Sequence, residues 1–137
     1  FMYYISKSVP VKINFSDMAR DLELSRDELP KYLEYLEKAE LVSVLRMKAN
    51  GDAILRKMDK LYLQNSNMSY VLSGEKPDTG NARETIFYCW TKQKYDTVES
   101  PVSDFEIDGK TFEVGGRNKG KKQISNLEDA YVDIDLH

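Results

Sequence analysis

Two carboxylates set across a short hairpin are the side chains best placed in this sequence to do chemistry. They lie in Ser103-Asp104-Phe105-Glu106-Ile107-Asp108-Gly109-Lys110-Thr111-Phe112-Glu113-Val114. Asp108-Gly109 is a two-residue turn signal that tolerates positive φ at both central positions. With that turn, Ile107 faces Lys110, Glu106 faces Thr111, Phe105 faces Phe112 and Asp104 faces Glu113. Side chains alternate between the faces of a strand. One face should then carry Phe105, Ile107, Phe112 and Val114, and the other Asp104, Glu106, Thr111 and Glu113. Directly opposed carboxylates have Cβ atoms about 5 Å apart and repel unless a cation separates them. Two such groups on adjacent strands suit Mg²⁺, which is held by one or two carboxylates and several waters. The competing reading is a solvated polar face on an edge hairpin.

A basic loop follows at once, Gly115-Gly116-Arg117-Asn118-Lys119-Gly120-Lys121-Lys122. Arg117, Lys119, Lys121 and Lys122 are the candidates for phosphate contact, the sequence-independent part of nucleic-acid binding. The loop also fits G-x-x-x-x-G-K. A phosphate-binding loop of that kind needs Ser or Thr next, to ligate magnesium. Lys122 occupies that place and only 15 residues remain after it, so nucleotide binding by this loop is not expected.

Composition sets the frame around these residues. The 137 residues are 41% hydrophobic and 31% charged, ordinary values for a globular chain. Net charge is −3, but residues 1–72 hold 11 basic and 10 acidic side chains, whereas residues 73–137 hold 9 and 13. Basic charge in the second half is concentrated between Lys110 and Lys122. A single cysteine, Cys89, rules out an internal disulfide and fits a reducing, cytoplasmic setting. One His with one Cys also rules out a Cys/His zinc site. No apolar run approaches the roughly 20 residues that span a bilayer, and no signal peptide is visible. The chain opens Phe1-Met2, which suggests a piece of a longer protein.

The elements that must position the hairpin follow from pattern. Residues 2–8 read as the end of a helix, broken at Val9-Pro10 because the residue before proline avoids helical angles. A short helix is expected from Ser16 to Leu22, with Ser16 as its N-cap. Ser25-Arg26-Asp27-Glu28 has the form of a capping box, and Leu29, Tyr32, Leu33, Leu36 and Ala39 then recur at helical spacing. Pro30 leaves open whether Ser25 or Asp27 is the cap. Residues 41–46 and 60–63 read as strands around a turn at 48–52, with Leu29, Leu33 and Leu36 packed beneath them. A helix over 65–72 and a linker over 73–80 follow. Residues 81–94 form a second helical unit with Ala82, Ile86, Phe87, Cys89 and Trp90 on its apolar side. Strand 95–100, the hairpin, a short helix at 123–126 and a strand over 130–135 complete the chain.

Helix, turn, helix and two-stranded ribbon is the winged-helix order, and it invites a DNA-binding reading with residues 25–40 as recognition helix. The charges of that helix oppose it. Arg26, Lys31 and Lys38 are outnumbered by Asp27, Glu28, Glu34, Glu37 and Glu40, and a groove between phosphates repels such a helix. The ribbon, with Arg46, Lys48, Arg56, Lys57 and Lys60, suits phosphate better. No base-stacking platform is read among the aromatic residues.

Several segments together resemble the C-terminal region of a large prokaryotic family of AAA-type P-loop ATPases. They are Leu33 to Val42, Lys60 to Met68, Arg83-Glu84-Thr85-Ile86-Phe87, Asp104 to Asp108, and Phe112 to Ile124 with its G-G-[KR]-N-K-G core. The resemblance implies a winged helix followed by a restriction-endonuclease-like domain, behind an N-terminal ATPase domain that this chain lacks. Nucleases of that superfamily carry Asp on one strand and Glu-x-Lys on the next. Asp104 matches the Asp and Glu113 the Glu, but the lysine position is Gly115. Lys119, or Arg117, is the candidate to replace it.

The sequence therefore predicts an α+β chain: a winged helix over 1–72, a linker over 73–80 and a nuclease-like α/β domain over 81–137. The expected function is that of a C-terminal accessory module of a prokaryotic AAA-type ATPase in the cytoplasm, contacting DNA through a degenerate nuclease-like domain. Its expected partners are the ATPase domain, DNA and further copies of itself, with no membrane. Alternatives are a protein-interaction or regulatory module and an active Mg²⁺-dependent nuclease. Asp104, Glu113 and Lys119 are the candidate catalytic residues, and Asp104 and Glu113 the candidate Mg²⁺ ligands.

Overall fold

Val42-Ser43-Val44-Leu45 is buried at every position, which a strand achieves only when both faces of its sheet are covered. That burial governs the architecture seen in a computed structural model, which describes residues 1–47, 58–115 and 130–134, without the side chains of 58, 59 and 132–134. The described residues form five helices and two sheets, a mixed α+β arrangement.

The first sheet has the order β1-β3-β2, from β1 (Val11–Lys12), β3 (Met58–Leu63) and β2 (Val42–Arg46), antiparallel throughout. Val42, Val44, Leu61 and Leu63 point to one face. They meet α1 (Met2–Ser8), α2 (Phe15–Asp21) and α3 (Glu28–Lys38) through Ile5, Val9, Met18, Ala19, Leu29 and Leu33. Leu45 and Tyr62 point to the other face and meet Tyr88 of α5 (Thr79–Thr91), together with Phe105 and Val114. The period-2 alternation thus divides two strands between two cores. Between them, α4 (Ser66–Ser73) packs on α1, with the buried Ser69 hydroxyl donating to the Ser6 carbonyl at 2.6 Å.

The capping box forms as written in the sequence. Glu28 N–H donates to Ser25 Oγ at 3.2 Å and Ser25 N–H to the Glu28 carboxylate at 2.9 Å. Regular helix nonetheless begins only at Glu28, so Pro30 stands in its first turn, where a missing N–H costs little. The two capping alternatives are therefore compatible. The α2 cap is corrected. Asn14, not Ser16, is the N-cap, its side-chain oxygen accepting from Ser16 and Asp17 N–H at 3.1 and 3.3 Å. The helix of the second unit likewise starts earlier than residue 81, at Thr79, because Asp78 caps it by accepting from Asn81 N–H.

The second sheet runs β4-β5-β6-β7 in chain order, from β4 (Thr97–Glu99), β5 (Phe105–Ile107), β6 (Lys110–Gly115) and β7 (Ala130–Ile134). The register of the β5-β6 hairpin is the predicted one, Phe105 with Phe112, Glu106 with Thr111 and Ile107 with Lys110. Asp108 and Gly109 have φ of 51° and 78°, the positive values that a type I′ turn demands. β7 joins β6 in parallel, a connection that needs about a dozen residues or more. The turn at 48–52 and the short helix at 123–126 lie outside the described residues.

Leu33 is fully buried under the first sheet. Leu33→Ala should cost about 2–5 kcal/mol, read as a lowered urea midpoint at constant slope. An unchanged midpoint would contradict the packing of α3 against β2 and β3.

Candidate functional site

The hairpin places its two candidate acids at its open end, and both are engaged there by the neighbouring strand. Asp104 Oδ2 accepts from the Val114 N–H at 2.8 Å. Glu113 is only 2% exposed, and its Oε2 accepts from the Ser103 hydroxyl, which also donates to the Phe112 carbonyl at 3.1 Å. A fully solvated polar face is thus corrected for Glu113. Its strand neighbours Val114 and Gly115 are buried too. Asp104 and Glu113 are tied to the same short stretch of hairpin, and each makes further interactions. Among the described residues no group of three or more His, Cys, Asp or Glu side chains could hold a metal ion. Arg117, Lys119, Lys121 and Lys122 lie outside the described residues.

A polar cluster that the sequence reading did not single out adjoins this hairpin. Glu84 of α5 accepts from the Tyr62 hydroxyl at 2.6 Å and from Lys60 Nζ at 3.1 Å. Lys60 and Glu84 side chains are 17% and 16% exposed. Burial pushes the Tyr62 hydroxyl well above its ordinary pKa, and the carboxylates of Glu84 and Asp104 push it further. Glu84 sits within the Arg83-Glu84-Thr85-Ile86-Phe87 segment. A lone Glu on an amphipathic helix gives no sign that a Lys and a Tyr from a distant strand will meet it.

The second cluster closes the open edge of β2. Glu37 of α3 takes Arg46 in a two-pronged ion pair at 2.9 and 2.6 Å, the strong geometry for guanidinium and carboxylate. The same Glu37 accepts from Val44 N–H at 3.4 Å, while Arg46 and the Tyr88 hydroxyl donate to the Val44 carbonyl at 3.1 and 2.8 Å. Side chains thus satisfy the backbone groups that a neighbouring strand would otherwise take. A cleft of about 210 Å³ lies here, bounded also by Lys92, Asp96 and Thr97. Arg46, expected to serve a DNA-contacting ribbon, is instead committed to Glu37. Lys60 is likewise committed to Glu84.

The outward face of α3 carries exposed Tyr32 and Tyr35, at 44% and 64%. Lys38 on the same helix pairs with Glu34 at 2.6 Å, which leaves little cationic character for phosphate.

Residues 1–79 match the family model described as Domain of unknown function (DUF8612), more than half of the chain. No curated protein and no solved structure matches it. No helix among the described residues is long and apolar enough to cross a membrane.

Burial alone would raise the Glu37 carboxyl, but the Arg46 guanidinium, the Val44 N–H and the charge of Lys92 outweigh it and hold the group below its ordinary value of 4.5. A depressed folded-state pKa gives stability that is present above the unfolded value and lost as pH falls through the folded one. The stability difference between the wild type and Glu37→Gln, from urea titrations, should be largest at neutral pH and shrink below about pH 4. A difference that stays constant down to about pH 3 would show that the ion pair contributes nothing as ions.

Proposed function

The chain belongs to the family described as Domain of unknown function (DUF8612), and from the resemblance of its sequence segments we propose that it is the C-terminal accessory module of a prokaryotic AAA-type ATPase. In this reading a winged helix is followed by a nuclease-like domain that has lost catalysis and serves recognition and packing in the cytoplasm. The observation that carries the catalytic part is the fate of the two hairpin acids. Asp104 accepts a backbone N–H of the opposite strand, and Glu113 is buried against Ser103. Gly115, at the position where the resembling nucleases carry lysine, is a buried glycine at the end of β6. Cleavage of a phosphodiester needs charge stabilisation at the phosphate as well as an activated water, and Gly115 offers no side chain of its own to supply it. Two further features support the resemblance. The second unit runs helix, three antiparallel strands, then a parallel strand. The first runs through helices α2 and α3 into the β2-β3 ribbon.

Protein contact is favoured over DNA contact for the first unit. The face of α3 offers two exposed tyrosines and a Lys38–Glu34 pair, and tyrosine is enriched at protein interfaces. Any DNA contact then depends more on Arg117, Lys119, Lys121 and Lys122 than on residues 25–40.

Incubating the chain with supercoiled plasmid and Mn²⁺ should give no more nicking than an Asp104→Asn, Glu113→Gln variant gives. Cleavage that disappears in that variant would establish an active nuclease and overturn the reading. Gel shifts should show DNA retention that falls steeply with salt and is lost when the four loop cations are replaced by Gln. Retention that survives those replacements would place the contact elsewhere.

A further inference from the structure

A groove of about 460 Å³ lies between the β3-α4 turn and the outer side of α5, within the size range of small-ligand sites. None of the side chains that line it carries a charge, in a chain that is 31% charged. Trp90, the only tryptophan, stands at its wall and is 73% exposed. Ile86, one turn earlier on the same helix, is 41% exposed.

The amides in the groove are oriented by bonds that admit one assignment each. Gln64 Oε1 accepts from Lys92 Nζ at 2.7 Å and from the Ser43 hydroxyl at 2.5 Å. An ammonium group has no acceptor capacity, so the oxygen must face Lys92, and the Gln64 NH₂ turns the other way. Asn65 Oδ1 accepts the Asn67 N–H at 2.9 Å as the cap of α4, which likewise leaves its NH₂ as donor. Gln93 donates through Nε2 to the Cys89 carbonyl at 3.2 Å, which leaves Oε1 as acceptor. Two amide donors and one amide acceptor are thus oriented by contacts inside the protein, beside the exposed indole of Trp90. Donors and acceptors held in place beforehand bind a complementary edge without the cost of ordering them.

We propose that this groove binds a nucleobase, stacked on Trp90 and read along its edge by Gln64, Asn65 and Gln93. A nucleobase is flat, uncharged at neutral pH, and carries carbonyl acceptors and N–H donors on one ring. Aromatic side chains stack unpaired bases, and Asn and Gln amides pair with base edges. The absence of charge in the lining argues against a phosphate in the groove itself. The base belongs either to a free nucleoside or to an unpaired nucleotide whose backbone stays outside. The proposal departs at Trp90 from the expectation that no aromatic residue offers a stacking platform. This inference rests on the groove alone and not on the accessory-module reading.

The test uses the whole chain and follows Trp90 fluorescence during titration with adenosine, guanosine, cytidine and uridine, and with a short single-stranded oligonucleotide. D-glucose and an N-acetylated, C-amidated dipeptide serve as neutral comparisons. At least one nucleoside or the oligonucleotide should quench Trp90 saturably, and the neutral comparisons should not. By calorimetry, Trp90→Ala and Gln93→Leu, both at exposed positions, should weaken the same ligand by about tenfold or more while circular dichroism stays unchanged. Oligonucleotide binding that is tighter than the nucleoside and weakens with salt identifies a strand as the source. Equal, salt-independent binding identifies the free nucleoside. Absence of saturable binding by every nucleoside and the oligonucleotide overturns the proposal. So does equal binding of the sugar or dipeptide, or affinity unchanged in both variants.

Discussion

Tyr62 is fully buried near the C-terminal end of β3, and the arrangement of both halves of the chain turns on it. Its ring meets Tyr88 of α5 at 4.8 Å between centroids and Phe105 of the hairpin at 6.3 Å. Phe105 in turn stacks with Tyr88 at 5.8 Å and with Phe87 at 5.2 Å. Aromatic pairs at such separations contribute beyond the area they bury. The tyrosine hydroxyl cannot be left unpaired at this depth without a penalty of about 1–3 kcal/mol, and it donates a hydrogen bond to Glu84 at 2.6 Å. One residue of the first sheet thereby fixes where α5 lies and where the β5-β6 hairpin must dock.

The remaining polar groups between the first sheet and α5 serve the same alignment. Lys92 reaches Ser43 and Gln64, Cys89 donates to the Leu63 carbonyl at 3.4 Å, and Tyr88 donates to the Val44 carbonyl. These contacts are spaced along two strands and match α5 turn by turn. Sliding the helix by one turn would leave several buried donors and acceptors unsatisfied at once, which hydrophobic packing alone would tolerate far better. Among the described residues, the two cations of β2 and β3 are used in this way. Arg46 answers Glu37 and Lys60 answers Glu84, so charges that suggest a phosphate-binding ribbon instead hold helices to strands.

Local chemistry wrote much of the fold legibly. The Asp108-Gly109 turn fixed the hairpin register, because positive φ at two successive positions admits few other residues. The Ser25/Glu28 box placed the start of α3, and the apolar spacing of Leu29 and Leu33 gave its buried face. These features depend on residues at most a few positions apart. The α2 cap was missed because Asn14 and Ser16 are both competent caps, and which one serves depends on where the chain enters the helix.

The sequence by itself determined most of the described elements, their order and the Phe105–Phe112, Glu106–Thr111 and Ile107–Lys110 register of the hairpin, though not the short strand β1. Tertiary structure alone decided what the carboxylates and cations do. Whether Glu113 faces water or the Ser103 hydroxyl depends on how Ser103 folds across the strand end. Whether Lys60 meets phosphate or Glu84 depends on a helix 24 residues away in the chain. The orientation of the Gln64 amide depends on Lys92, 28 residues away. Periodicity shows which face a residue occupies, but it does not show which distant side chain arrives on that face. Because desolvation makes an unmatched charge costly, the partner that arrives settles the role of each polar group.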